Sequence, residues 1–246
     1  TNNKIALNPS ITELGQIQIK VPKDALALVK AALNKAGDYY YNDQALMTAF
    51  YRETIKKGNK NASLTEAVVE VYKEPYASKK ADAISLIKSR KNTNYSRLDT
   101  IALKLQGGPF STLYSDIVKY PEYIFTEDTL PYYEFSFDPS TQINDRQVYV
   151  VKFNQLSNVV SPFYAGKLFI DAETFALISA VYSLNVENRE LASEMFIRKK
   201  PNKVRVYPVE ANYRVDYQTK NGKWFYGYSN IQLEFNVKWK NRLFGS

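Results

Sequence analysis

Neither cysteine nor histidine occurs anywhere in the 246 residues. That excludes disulfides, thiolate nucleophiles, Cys/His zinc sites, Ser-His-Asp triads and histidine acid–base pairs before any motif is read. Missing cysteine leaves the redox compartment open, because only small disulfide scaffolds carry that signal. No apolar run approaches the ~20 residues of a membrane helix, so no transmembrane segment is expected. The opening TNNKIALNPS has neither the positive start nor the apolar centre of a signal peptide, and the chain is expected to be soluble. No internal repeat or low-complexity linker divides it, which favours one compact domain.

What the sequence does contain points to sheet. Hydrophobic residues make up 45%, ample for a core, and aromatics reach 14% with 20 Tyr and 13 Phe. Such rings favour half-buried strands. The net charge of +8 raises the question of nucleic acid. Lys79, Lys80, Lys88, Arg90, Lys91, Arg97 and Lys104 are offset only by Asp82 and Asp99, and a second cluster runs Arg198, Lys199, Lys200, Lys203, Arg205. Solvated strand edges account for both, since lysine there blocks pairing with other chains. No nucleic-acid partner is expected.

PKDALALVKAALNKA (22–36) reads as a helix, with Asp24 at its positive end, Gly37 as its C-terminal cap and an apolar stripe through Leu26, Val29 and Leu33. Strand periodicity then runs through LMTAFYRETIKK, SLTEAVVEVYKE, ISLIKSR, YYEFSF and RQVYVVKFNQL. Helices are predicted over 97–105, 110–120 and 186–195. In the last hairpin, a two-residue Asn221-Gly222 turn would set Ala211 against Gln232, apolar against polar. A three-residue loop with positive φ at Gly222, pairing Thr219 with Lys223 and Ala211 with Ile231, is predicted instead.

The stretch FYAGKLFIDAETFALISAVYSL (163–184) reads as a hairpin apolar on both faces. Pairing across Asp171 to Thr174 puts Tyr164, Leu168, Ile170, Phe175, Leu177 and Val181 on one side. Phe169, Ala176, Ile178, Ala180 and Tyr182 fall on the other. Such a hairpin belongs centrally in a sheet covered twice.

Chemical motifs are weak. LQGGPF lacks the Gly-Lys-Ser/Thr of a phosphate loop and reads as a helix-to-helix turn. Ser85 and Lys88 match S-x-x-K, but on a strand that spacing points to opposite faces. Asp138, Asp145, Asp171 and Glu173 show no spacing that makes two acids converge, and Asp171 is expected to accept N–H bonds within its own turn, with Thr174 closing it. Tyr39-Tyr40-Tyr41, Tyr132-Tyr133 and Trp224 to Tyr228 cannot all be buried, so some are exposed or line a cavity.

MTAFYRETIKKGNK (47–60), SLTEAVVEVYKEPY (63–76), KLQGGP (104–109), YAGKLFID (164–171) and WKNRLF (239–244) resemble a family of Gram-negative envelope proteins known as carboxypeptidase-like regulatory domain-containing. The resemblance implies that residues 1–21 are an arm left from a preceding β-sandwich module, and 22–246 a single domain. It implies a periplasmic or outer-membrane-associated location and offers no catalytic residues. G-x-L-x-I-D-x-x-T (166–174) is also similar to the hairpin of LolA-like lipoprotein carriers, whose curved sheet wraps helices around an apolar cavity.

The expected fold is α+β: one large, curved, mostly antiparallel sheet, a half-barrel with helices on its concave face. The expected function is a non-catalytic cell-envelope binding module for an apolar or amphipathic ligand such as a lipid, or for an envelope protein partner. No cofactor and no metal are expected. Tyr164, Leu168, Ile170, Phe175, Leu177, Val181 and Phe235 are the candidate cavity residues. A carbohydrate-binding surface using exposed tyrosines and a carboxylate-dependent hydrolase are the alternatives.

Overall fold

The computed structural model describes residues 23–34, 36–94, 108–197 and 199–239. The expected arm over 1–21, Pro22, the helix over 97–105, the first residues of LQGGPF and all of WKNRLF after Trp239 lie outside them.

Strand outweighs helix, and every paired strand runs antiparallel to its neighbour. The strands make two sheets rather than the one expected. β1 (Ala45–Lys57), β2 (Lys60–Lys73) and β3 (Ala83–Thr93) form a three-stranded sheet in that order. β4 (Tyr133–Ile143), β5 (Arg146–Gln155), β6 (Tyr164–Asp171), β7 (Leu177–Leu184), β8 (Val204–Lys220) and β9 (Lys223–Trp239) form a six-stranded meander. Neither sheet closes into a barrel. The segment between them carries apolar residues for both: Leu113 packs with Ala67, Val69 and Val71 of β2, while Ile117, Val118 and Phe125 enter the main core.

α1 (Ala25–Asn34) buries Leu28, Val29 and Ala32 in that core. Asp24 starts the helix, its carboxylate accepting from the Leu26 N–H at 2.9 Å. Gly37 does not cap α1. It lies inside a second helical turn, α2 (Ala36–Tyr39). The helix predicted to Tyr120 is only α3 (Pro109–Leu113). Its continuation fails because Asp116 is buried and its carboxylate accepts from the Lys119 N–H and from side chains of other elements, competing with helical bonding. α4 (Arg189–Phe196) is capped by Asn188, whose side chain accepts from the Leu191 N–H.

The β8–β9 hairpin corrects the turn argument. Lys220 pairs with Lys223, so the turn has two residues, Asn221 and Gly222, both at positive φ (52° and 75°). The register shift that apolar pairing demands occurs further along the strand: Asp216 pairs with Tyr228 but Tyr217 with Tyr226, leaving Gly227 as a bulge. Beyond it Tyr213 meets Ile231 and Ala211 meets Leu233. A Cβ on Gly227 would lie 2.5 Å from Gln218 Cγ, which suits glycine to the bulge.

Candidate functional site

A bulge also rearranges the two-faced hairpin. Phe169 pairs with Ser179 but Ile170 with Leu177, so Ile178 is the extra residue. Leu168 therefore shares its face with Ala180, and Gly166 with Tyr182. Val181 pairs with Lys167 on the opposite face and is 45% exposed, so it is not beside the other candidate cavity residues.

The remaining candidates occupy four settings. Leu168, Ile170 and Leu177 are fully buried in the core that also holds Leu28, Val29 and Ile117. Tyr164 packs edge-on against Tyr182 and Tyr213, with centroids 5.5 and 5.8 Å away, and burial pushes its hydroxyl up to about 12. Phe175, at φ 59°, sits in the turn and stacks on Tyr149. Phe235 belongs to a smaller cluster with Leu184, Ala211 and Phe196 of α4.

Two acids do converge, and neither was a candidate. Lys73 at the end of β2 donates to Asp82 at 2.6 Å and to Asp116 at 2.9 Å, and all three are buried. The Tyr76 and Tyr217 hydroxyls donate to Asp116 at 2.9 and 2.8 Å. In turn the Tyr226 N–H donates to the Tyr76 hydroxyl, the Val118 N–H to that of Tyr217 and the Asp82 N–H to that of Tyr120. The ammonium also faces the Tyr76 ring at 5.0 Å and the Tyr226 ring at 5.6 Å. Burial alone would lower the Lys73 pKa, but Asp116 and Asp82 outweigh it and hold the group above its ordinary value. Burial, reinforced by Asp116, keeps Tyr76 and Tyr217 protonated well beyond the usual phenol range. Among the described residues no buried side-chain polar atom lacks a partner. A satisfied interior network of this kind ties elements together and offers no open position for a substrate. Its one sequence signal is parity: Lys73 continues the inward series Ala67, Val69, Val71.

Two of the candidate acids of the sequence are held by basic partners. Asp138 pairs with Lys167, and Asp171 with Arg146. Asp171 also accepts from the Glu173 and Thr174 N–H groups and the Thr174 hydroxyl, the turn role expected of it. No group of three or more Asp or Glu that could hold a metal occurs among the described residues. Ser85 and Lys88 share one face of β3, contrary to expectation, because a bulge at Ile87 lies between them.

Exposed apolar side chains concentrate on the three-stranded sheet. Leu46, 60% exposed, and Phe50, 63% exposed, alternate along β1, and Tyr72, Val68 and Leu64 pair across from that face on β2. Arg52, Lys88 and Arg90 border them. Hydrogen bonds from Arg90 and Arg52 hold the Glu66 carboxyl below the usual range. Two clefts, of about 440 and 240 Å³, lie instead at one end of the six-stranded sheet, and no candidate cavity residue lines either.

No protein-family model matches this chain, and no curated protein matches it.

Proposed function

We propose that this chain is a non-catalytic binding module of the cell envelope, and that its occupant is amphipathic and anionic. The six-stranded sheet is read as a half-barrel around α1 and the 109–125 segment; four bulges in three of its strand pairings, each a local bend, support that shape. Its apolar residues are sealed by the protein's own core, so an apolar occupant needs another surface. The observation that carries the reading is the pair Leu46 and Phe50, large and mostly exposed on one sheet face beside Arg52, Lys88 and Arg90. Exposed apolar patches rimmed by polar groups mark interaction surfaces. Glu66 pairs with both Arg52 and Arg90, and Glu70 shares their face, so Lys88 is the cation left to favour an acidic headgroup over a neutral one.

Flotation with phosphatidylglycerol vesicles tests this. The intact chain is expected to float, and to stay at the bottom with phosphatidylcholine vesicles or when Leu46→Glu and Phe50→Glu are combined. Both substitutions sit on an exposed face, so circular dichroism should be unchanged. Failure of the unsubstituted chain to float, together with native mass spectra free of any bound molecule, overturns the reading.

A further inference from the structure

We propose a second binding site, for a neutral oligosaccharide, in the cleft where the β5–β6 loop meets the start of β4. It lies on the six-stranded sheet and is independent of the three-stranded sheet's exposed face. Its floor is aromatic: Tyr132 and Phe163 pack with centroids 5.4 Å apart and planes at 31°, and buried Tyr133 meets Phe163 edge-on at 5.7 Å. Tyr132 is 44% exposed and, with Pro131, Leu156 and Phe163, lines the cleft of about 440 Å³. Asn158 and Ser161 supply its polar side. Their side chains and the Tyr132 hydroxyl have no hydrogen-bond partner among the described residues, leaving donors and acceptors for a ligand.

The loop is held before any ligand arrives. Gln155 donates from Nε2 to the Val159 and Ser161 carbonyls at 2.5 and 2.9 Å and accepts from the Phe163 N–H at 2.9 Å. The Leu156 N–H reaches the Tyr132 carbonyl at 2.9 Å, and the Asn185 N–H the Phe163 carbonyl at 2.7 Å. A site ordered in advance loses little entropy on binding. Across Val159, which borders both, the second cleft of about 240 Å³ presents Ser157, Asn185, Glu187 and Asn188. No lysine or arginine lines either cleft, and the one charged side chain is an acid, which disfavours phosphate and carboxylate ligands. A ligand with a C–H face for the rings and hydroxyls for the amides is a sugar, and two adjoining clefts suit a chain of them.

Saturation-transfer NMR with maltohexaose, cellohexaose and chitohexaose as probes tests the assignment. At least one should bind, with transfer strongest at ring C–H protons. Tyr132→Ala should weaken it about ten-fold, Tyr132→Phe should retain it, and Asn158→Ala should cost a few-fold, about the spread seen when anchors and their neighbours are truncated. Tyr123→Ala, which removes a different exposed ring, should change nothing. The proposal is overturned if none of the three binds, or if binding survives both Tyr132→Ala and Asn158→Ala. Should Tyr132→Ala lose its fold by circular dichroism, Asn158→Ala and Ser161→Ala decide, and unchanged affinity in both overturns it.

Discussion

Asp171 is nearly inaccessible, yet its carboxylate is stabilised as an anion. Burial raises its pKa, but the Thr174 N–H, Arg146 and the Thr174 hydroxyl together outweigh that and hold it below its ordinary value. A carboxyl depressed in the folded state contributes stability above its unfolded pKa of about 3.9, and that contribution is lost as pH falls through the folded value. Asp171→Asn keeps the shape and removes the charge. Urea unfolding should show it less stable by about 1 to 2 kcal/mol at neutral pH, with the gap to the unsubstituted chain narrowing below about pH 4. A gap that is the same at both ends of that range would contradict the assignment. The turn bonding behind this was legible from the D-x-x-T spacing; Arg146 as the partner was not, because it comes from another strand.

At the scale of elements, glycine placement decides how β6 and β7 meet. Gly166 pairs with Tyr182, and a Cβ there would stand 2.3 Å from the Val181 carbonyl oxygen and 2.6 Å from Tyr182 Cα. Those are backbone atoms and cannot swing aside. Tyr182 is itself fixed, stacked on Tyr213 at 5.0 Å with planes 6° apart. Gly166→Ala should therefore cost at least the ~1 to 3 kcal/mol typical of overpacking, and thermal unfolding would show it as a lowered Tm. An unchanged Tm would mean that the strands separate more easily than their pairing implies. Strand positions could be read from period-two patterns, whereas the bulges at Ile178 and Gly227 could not, since a bulge answers to the opposing strand.

Across the whole molecule, the two sheets are joined through Lys73, Asp82, Asp116, Tyr76 and Tyr217, which bring together β2, the inter-sheet segment and β8. The three-stranded sheet has few fully buried apolar residues of its own, so this network should carry much of its attachment. Lys73→Met leaves two buried carboxylates without their cation, a change of the kind that costs about 3 to 5 kcal/mol. Hydrogen exchange should report the loss unevenly: amides of β1 to β3 should exchange faster in the variant, with a smaller change in β5 to β7. Uniform acceleration over both sheets would show that they unfold as one unit and that the network is no special tie.

The sequence by itself determined part of the local structure: which segments alternate as strands, that a turn falls at Asn221 and Gly222, that Asp171 closes its own turn, and that Cys and His chemistry is excluded. These depend on neighbours within a few residues, where backbone sterics and side-chain parity act. Only the tertiary structure decided that the strands form two sheets, that Val181 faces away from Leu168, and that Lys73 and Asp116, 43 residues apart, share a buried hydrogen bond. Those outcomes follow from burial and pairing between distant segments, for which one sequence carries no local signature.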